Sequence, residues 1–158
     1  MTTLIKFTVQ GEPKAQPRPK AFRRGIFVSV YNPKTADQWK TKIRLAWKQH
    51  QPAGFKTLEY PIKLKLIFFL PRPKAHYTSK GLLKSGVPEF CPKKPDFDNL
   101  EKAVSDALTE CAAWHDDSQV VISETVKLYA ERGFEGCEIT IAHVDDLTDT
   151  PSLVFLLP

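Results

Sequence analysis

The stretch KKPDFDNLEKAVSDALTECAAWHDDSQ, Lys93 to Gln119, decides how the rest of the chain is read. Its apolar residues Leu100, Ala103, Val104, Ala107, Leu108 and Cys111 recur at helical spacing. The spacing predicts a helix from about Asp98 to Cys111. The opposite face carries Asp98, Lys102 and Asp106, each four apart and so aligned along the axis. Two carboxylates, Asp96 and Asp98, stand at the start of this helix, and Asp116 and Asp117 follow its end. Each has a plain structural use. Asp is a favoured N-cap, and negative charge in a first turn suits the helix macrodipole. Asp98 with Glu101 three residues on has capping-box spacing, and Asp116-Asp117-Ser118 suits a polar turn. A cap, however, needs one acceptor, and this helix start has two.

The conjunction points further. If the strand after Gln119 lies beside the helix, the chain doubles back and Asp117 returns toward Asp96 and Asp98. Converging carboxylates are costly unless a cation neutralises them. Oxygen-only ligands suit Mg²⁺ or Mn²⁺ and argue against zinc. The candidate metal ligands are therefore Asp96, Asp98 and Asp117, with Asp116 beside them. Lys102 is a candidate for stabilising negative charge in a transition state; its structural alternative is an ion pair with Asp98 or Asp106.

Outward from this stretch, the elements alternate in type. Leu4 to Val9 predicts a first strand, and Gly11-Glu12-Pro13 ends it. Pro17 and Pro19 remove amide donors, so KAQPRPK (residues 14–20) is an extended, exposed segment presenting Lys14, Arg18 and Lys20. Arg23-Arg24-Gly25 reads as a hairpin turn with Ile26 to Tyr31 as its second arm. Thr35 and Gln38 have capping-box spacing, and Ala36, Trp39, Ile43, Ala46 and Trp47 make a helix over about 35–49. Its tryptophans lie on the apolar stripe and read as core anchors. Tyr60 to Leu70 is apolar on both faces in its later half, which predicts a central strand. Residues 74–95 form a long loop, uncommon in a compact domain unless functional or mobile. Val120 to Tyr129 and Gly136 to Val144 read as two strands, joined as a hairpin through Arg132-Gly133-Phe134. The expectation is one α/β (α+β) domain over 1–144, with a small mixed sheet of about five strands and two main helices, and a tail over 145–158.

Charge narrows the partner. Residues 1–94 hold 20 Lys+Arg against 4 Asp+Glu, whereas residues 95–158 hold 3 against 14. That asymmetry implies a polyanion for the basic part. Lys14, Arg18, Lys20, Arg23, Arg24, Lys93 and Lys94 are the candidate phosphate contacts, and so the candidate DNA contacts if the polyanion is a nucleic acid, placed on loops and a hairpin tip where phosphates are readily met. No apolar run approaches the roughly 18 residues of a membrane span. The first residues lack a secretory pattern. Three cysteines with no C-x-x-C spacing fit a reducing compartment. A cytoplasmic setting follows as an expectation. In a basic protein, the natural substrate for a carboxylate-held Mg²⁺ is a phosphodiester.

D-F-D-N-L-E-K-A-x-x-D-A-L followed by W-x-D-D-S-Q-V-V resembles the signature of the RusA family of Holliday junction resolvases, endodeoxyribonucleases of bacteria and their phages. GEPKAQPRPK and YNPKT resemble the opening of its phage-type members, so the likeness covers about residues 4–144. Phe97 departs from it, standing where an aliphatic residue is commoner. The resemblance implies a compact α/β homodimer that uses Mg²⁺ or Mn²⁺ to nick two opposing strands of a four-way junction. By the same resemblance Asp96, Asp98 and Asp117 are the essential carboxylates and Lys102 the essential lysine. Two rivals stand beside this reading: a DNA-binding protein without catalysis, and a metal nuclease for flaps or forks.

Overall fold

The structure, a computed structural model, describes residues 4–146. The expected C-terminal tail lies outside the described residues beyond Asp146. The elements are strands β1 (Ile5–Gln10), β2 (Lys20–Arg24) and β3 (Phe27–Tyr31), helix α1 (Asp37–His50), strand β4 (Ile62–Leu70), helix α2 (Phe97–Glu110), and strands β5 (Val120–Tyr129) and β6 (Gly136–His143). Four strands form one mixed sheet in the order β1-β6-β4-β5, and β2 and β3 form a separate hairpin.

The sheet follows from alternation. Along β4, Ile62, Leu64, Leu66, Phe68 and Leu70 are buried, while Lys65, Ile67 and Phe69 on the other face are more exposed. β1 alternates in the same way, with Ile5, Phe7 and Val9 buried. Those residues meet the apolar stripes of both helices in one core: Trp39, Ile43 and Trp47 from α1, and Leu100, Ala103, Val104, Ala107 and Leu108 from α2. Trp39 and Trp47 are 1% and 0% exposed, as their place on the stripe predicts. Lys40 and Arg44 on α1 reach Glu110 on α2 at 2.7 and 2.5 Å and clamp the helices together. Partial burial pushes the Glu110 carboxyl up, but the hydrogen bonds and charge of Lys40 and Arg44 outweigh it and hold it below its ordinary value.

Two expectations need correction. β5 and β6 are not a hairpin. β4 lies between them, parallel to β5 and antiparallel to β6. The chain from β4 through α2 to β5 is therefore a crossover, and the connection after Tyr129 passes over the end of β4, where the Ala130 amide donates to the Leu70 carbonyl. The physical reason is that β4, apolar on both faces in its second half, is the strand that gains most from neighbours on both edges. The second correction concerns caps. α1 begins at Asp37 after Ala36, with no side-chain cap from Thr35. Asp98 does not cap α2 through Glu101; Asp96 is the N-cap residue, without a side-chain cap bond. A capping box exists elsewhere. Asp116 accepts the Ser118 amide, and Gln119 accepts the Asp116 amide, at the short turn before β5.

The long loop over 74–95 is tied to the sheet at several points. Tyr77 bridges Leu83, and Phe90 bridges Leu128 on β5. The Cys91 amide donates to the Lys127 carbonyl and the Tyr129 amide to the Glu89 carbonyl. Its last part thus lies along the outer edge of β5, covering unpaired strand groups that would otherwise invite association. Arg72 ties it down by donating to the Pro88 carbonyl at 2.8 Å.

Candidate nuclease site

The site grows from the N-terminal end of α2. Pro95 precedes it, and Asp96, still extended at φ −68° and ψ 142°, hands the chain into the helix. Asp98 is one residue inside, exposed, with its Oδ1 accepting the Asn99 amide at 2.9 Å. Helical spacing then sets Asp98, Glu101, Lys102 and Ser105 along one flank. The crossover to β5 brings Asp117 against that flank. A pocket of about 310 Å³ is lined by Phe97, Asp98, Glu101, Lys102, Ser105 and Asp117.

Two further hollows adjoin it. One, of about 680 Å³, lies between Lys93, Lys94 and Lys127 and the carboxylates of Asp96 and Asp98. The next, of about 650 Å³, runs from Asp96 and Lys94 to Arg18 and the segment before it. Asp98 is common to the first two and Asp96 to the last two, so the three hollows border one another along the start of α2, as a trough with shared walls. The N-terminal segment is pinned to its rim, because the Gln16 amide donates to the Asn99 carbonyl at 2.8 Å.

Asp96, Asp98 and Asp117 are all exposed, and none is in an ion pair among the described residues. Exposed carboxylates without an ion-pair partner offer the oxygen ligands that a hard ion takes. The donor chemistry therefore fits Mg²⁺ or Mn²⁺. The placement is open rather than closed. Asp98 and Asp117 share a pocket, while Asp96 faces the neighbouring hollows across Phe97. Among the described residues, no three His, Cys, Asp or Glu side chains stand close enough to hold one ion. Asp116 is occupied as the cap of its own turn. Its carboxyl is held below the ordinary value by the hydrogen bonds from Ser118.

Lys102 takes its structural alternative: its Nζ meets Asp106 Oδ1 at 3.1 Å. It remains exposed and on the pocket wall. Of the expected DNA contacts, Arg18 and Lys94 line the outer hollow, and Lys93 and Lys94 the middle one. Lys14 is exposed and paired with Glu12 at 2.6 Å. Lys20, Arg23 and Arg24 lie on the hairpin and line none of these three hollows.

Two residues of the trough escape a sequence reading. Glu101, half-buried, accepts a hydrogen bond from Thr125 Oγ1 at 2.9 Å and lines the pocket of Asp98 and Asp117. Its signal was the spacing from Asp98, which also fits a cap. Lys127 reaches over from β5, its Nζ on the Lys93 carbonyl at 2.5 Å. Its signal lies in the register: Thr125 and Lys127 pair with the buried Leu66 and Phe68, so two polar residues occupy the helix-facing side of β5.

The chain is similar to known proteins. The family description Endodeoxyribonuclease RusA matches residues 10–142. Uncharacterized protein YqaN of Bacillus subtilis (strain 168) is 36% identical over 135 residues, covering 80% of this chain and 89% of that protein. Crossover junction endodeoxyribonuclease RusA of Escherichia coli (strain K12) is 42% identical over 52 residues, covering 33% of this chain and 42% of that protein. Its counterpart in Escherichia coli O139:H28 is 40% identical over 60 residues, 38% of this chain and 48% of that protein. The chain therefore spans less than half the length of these two Escherichia coli relatives.

Proposed function

The chain belongs to the RusA endodeoxyribonuclease family, and from that premise we propose that it is a Mg²⁺-dependent endonuclease that resolves four-way DNA junctions by paired nicks, in recombination and repair. The observation that carries the reading is the shared pocket of Asp98, Asp117 and Lys102, opening into a trough lined by Arg18, Lys93, Lys94 and Lys127. Cations flanking carboxylates suit a DNA backbone led across a metal site.

Asp98 and Asp117, with Asp96 from the adjoining hollow, would hold the cation; Mn²⁺ would serve in place of Mg²⁺. When bound, such a cation supplies an activated water and offsets charge on the leaving oxygen. The chain's own groups do the rest. Arg18, Lys93 and Lys94 hold phosphates by charge and so fix where the strand lies. Lys102, turning from Asp106 toward the strand, offsets negative charge as it grows at the scissile phosphate. Thr125 fixes Glu101, which keeps that wall of the pocket polar and hydrated. Lys14, Lys20, Arg23 and Arg24 extend the phosphate contacts outward.

Paired cuts in a junction of approximate two-fold symmetry call for two equal sites, which an isologous homodimer provides. The proposed setting is the cytoplasm of a bacterial or phage-infected cell; among the described residues no helix is long and apolar enough to cross a membrane. The test is cleavage of labelled four-way, three-way, flap and linear DNA with Mg²⁺ and with chelator. The reading requires nicking of the four-way junction with Mg²⁺ alone, at symmetric positions, and an uncut linear duplex. Preference for flaps or forks would move the substrate and keep the site. Binding without any metal-dependent scission would replace the enzyme with a DNA-binding protein.

A further inference from the structure

The β2–β3 hairpin is built unlike the rest of the molecule. All ten of its strand residues are exposed. Phe27 is 72% exposed, Phe22 and Tyr31 each 49%, and Ile26 at the turn 85%. A two-stranded hairpin is marginally stable by itself in water. An apolar patch held out in this way marks a surface awaiting a partner.

Its register sorts the side chains. Lys20 lies opposite Tyr31, Phe22 opposite Ser29 and Arg24 opposite Phe27. Directly opposed residues share a face, and faces alternate along a strand. One face therefore carries Phe22, Phe27, Tyr31, Lys20, Arg24 and Ser29. The other carries Ala21, Val28, Val30 and Arg23. Contact between the Phe22 and Tyr31 rings, 6.1 Å between centroids at 64°, places both on the first face independently. The turn supports this order. Gly25, at φ 66°, opens a two-residue loop of the kind that matches strand twist.

We propose that this aromatic face stacks on bases unpaired at the DNA branch point, and that Phe22, Phe27 and Tyr31 thereby select branched DNA over duplex. The inference rests on the nuclease reading above and adds to it the feature that recognises the branch. Ring faces stack on any base, provided that base is not already stacked within a helix. Interleaved cations hold the adjoining phosphates. Residues 13–36 hold six cations and no carboxylate, which suits nucleic acid. A protein partner on this face would have to bury Lys20 and Arg24, neither of which is in an ion pair among the described residues. The hairpin is also rooted beside the trough. Arg18 lines its outer hollow, and Phe22 follows four residues later, at most about 14 Å of chain. A phosphate at the carboxylates and a base on the rings thus lie within reach of one strand near its branch.

The test uses the full chain carrying Phe22→Ala, Phe27→Ala and Tyr31→Ala together, bound to a four-way junction with 2-aminopurine at the branch and to linear duplex, in Ca²⁺ to prevent cleavage. The wild type is expected to change 2-aminopurine fluorescence at the branch but not in duplex. The triple variant should lose that change and bind the junction roughly ten- to a hundredfold more weakly, with duplex affinity within about twofold of wild type. Three results would overturn the proposal. One is unchanged junction affinity and fluorescence; another is equal loss on both DNAs. The third is a fall in oligomeric state by sedimentation, which would make the face a contact with a second copy. Junction cleavage by wild type in Mg²⁺, run alongside, separates this inference from the nuclease reading. If the wild type cuts and the triple variant discriminates as well as it does, only the hairpin assignment falls. If the wild type cuts nothing, the nuclease reading falls, while the fluorescence still reports on the rings.

Discussion

The two-layer core and the β2–β3 hairpin use the same kinds of residue and leave them in opposite states. Phe68, Ile139 and Leu100 are 0% exposed in the core, whereas Phe27 and Val28 in the hairpin are 72% and 66% exposed. The difference is one of neighbours. β4 has strands on both edges and helices on one face, so each apolar side chain removes area from water within the chain. The hairpin has only its own two strands. The lesson is that stability and recognition are separated in this molecule: changes in the core should alter folding, and changes in the hairpin should alter binding.

The largest test of that separation is a matched pair of substitutions. Phe68→Ala empties a fully buried site and should cost about 3–5 kcal/mol. Val28→Ala in the hairpin should cost within about 0.5 kcal/mol. Urea unfolding measures both; comparable losses would mean that the hairpin is packed in the folded protein.

Next in size is Lys102→Ala. If Lys102 offsets transition-state charge, junction cleavage should fall on the order of a hundredfold with little change in melting temperature. If it serves only Asp106, cleavage should be unaffected, and Asp106→Ala should match it in every assay. A smaller effect separates phosphate holding from base contact. Arg23→Gln with Arg24→Gln should weaken junction and duplex binding alike. The slope of log affinity against log salt should flatten by about two. A change confined to the junction would give these arginines a role in reading the branch.

The smallest effect lies far from the DNA surfaces. The Glu110 carboxyl sits below its ordinary value, so it binds protons more weakly folded than unfolded. Its contribution is present above the ordinary carboxylate pKa of the unfolded chain and is lost as pH falls through the lower folded value. Glu110 is about half-exposed and its pairs are screened, so Glu110→Gln should cost under about 1 kcal/mol at pH 7. Thermal melts from pH 7 to pH 3 should show the two proteins converging in acid. A constant gap would mean that the clamp works by packing alone.

How much of this was legible in the sequence depended on range. α2 was legible because its apolar period and its carboxylates are local, and β4 because a strand apolar on both faces has few other places to go. The separation of β5 from β6 was not. Adjacent strands with a turn between them look like a hairpin, and only the insertion of β4 from far along the chain prevents it. The loop over 74–95 was opaque for a similar reason: it is held by backbone bonds to β5, which leave no side-chain pattern. At the site, Asp96, Asp98, Lys102 and Asp117 stood out by type and spacing. Glu101 and Lys127 did not, since one passes for a cap and the other depends on register.

Everything proposed for this molecule depends on whether the Asp98–Asp117 pocket cuts branched DNA. The direct measurement is single-turnover cleavage of a 5′-labelled four-way junction in Mg²⁺, comparing wild type with Asp98→Asn and Asp117→Asn at protein concentrations that saturate binding. Metal-dependent nicking by wild type, lowered on the order of a thousandfold in each variant with junction binding kept, is the expected result. Nicking by either variant at the wild-type rate would contradict it.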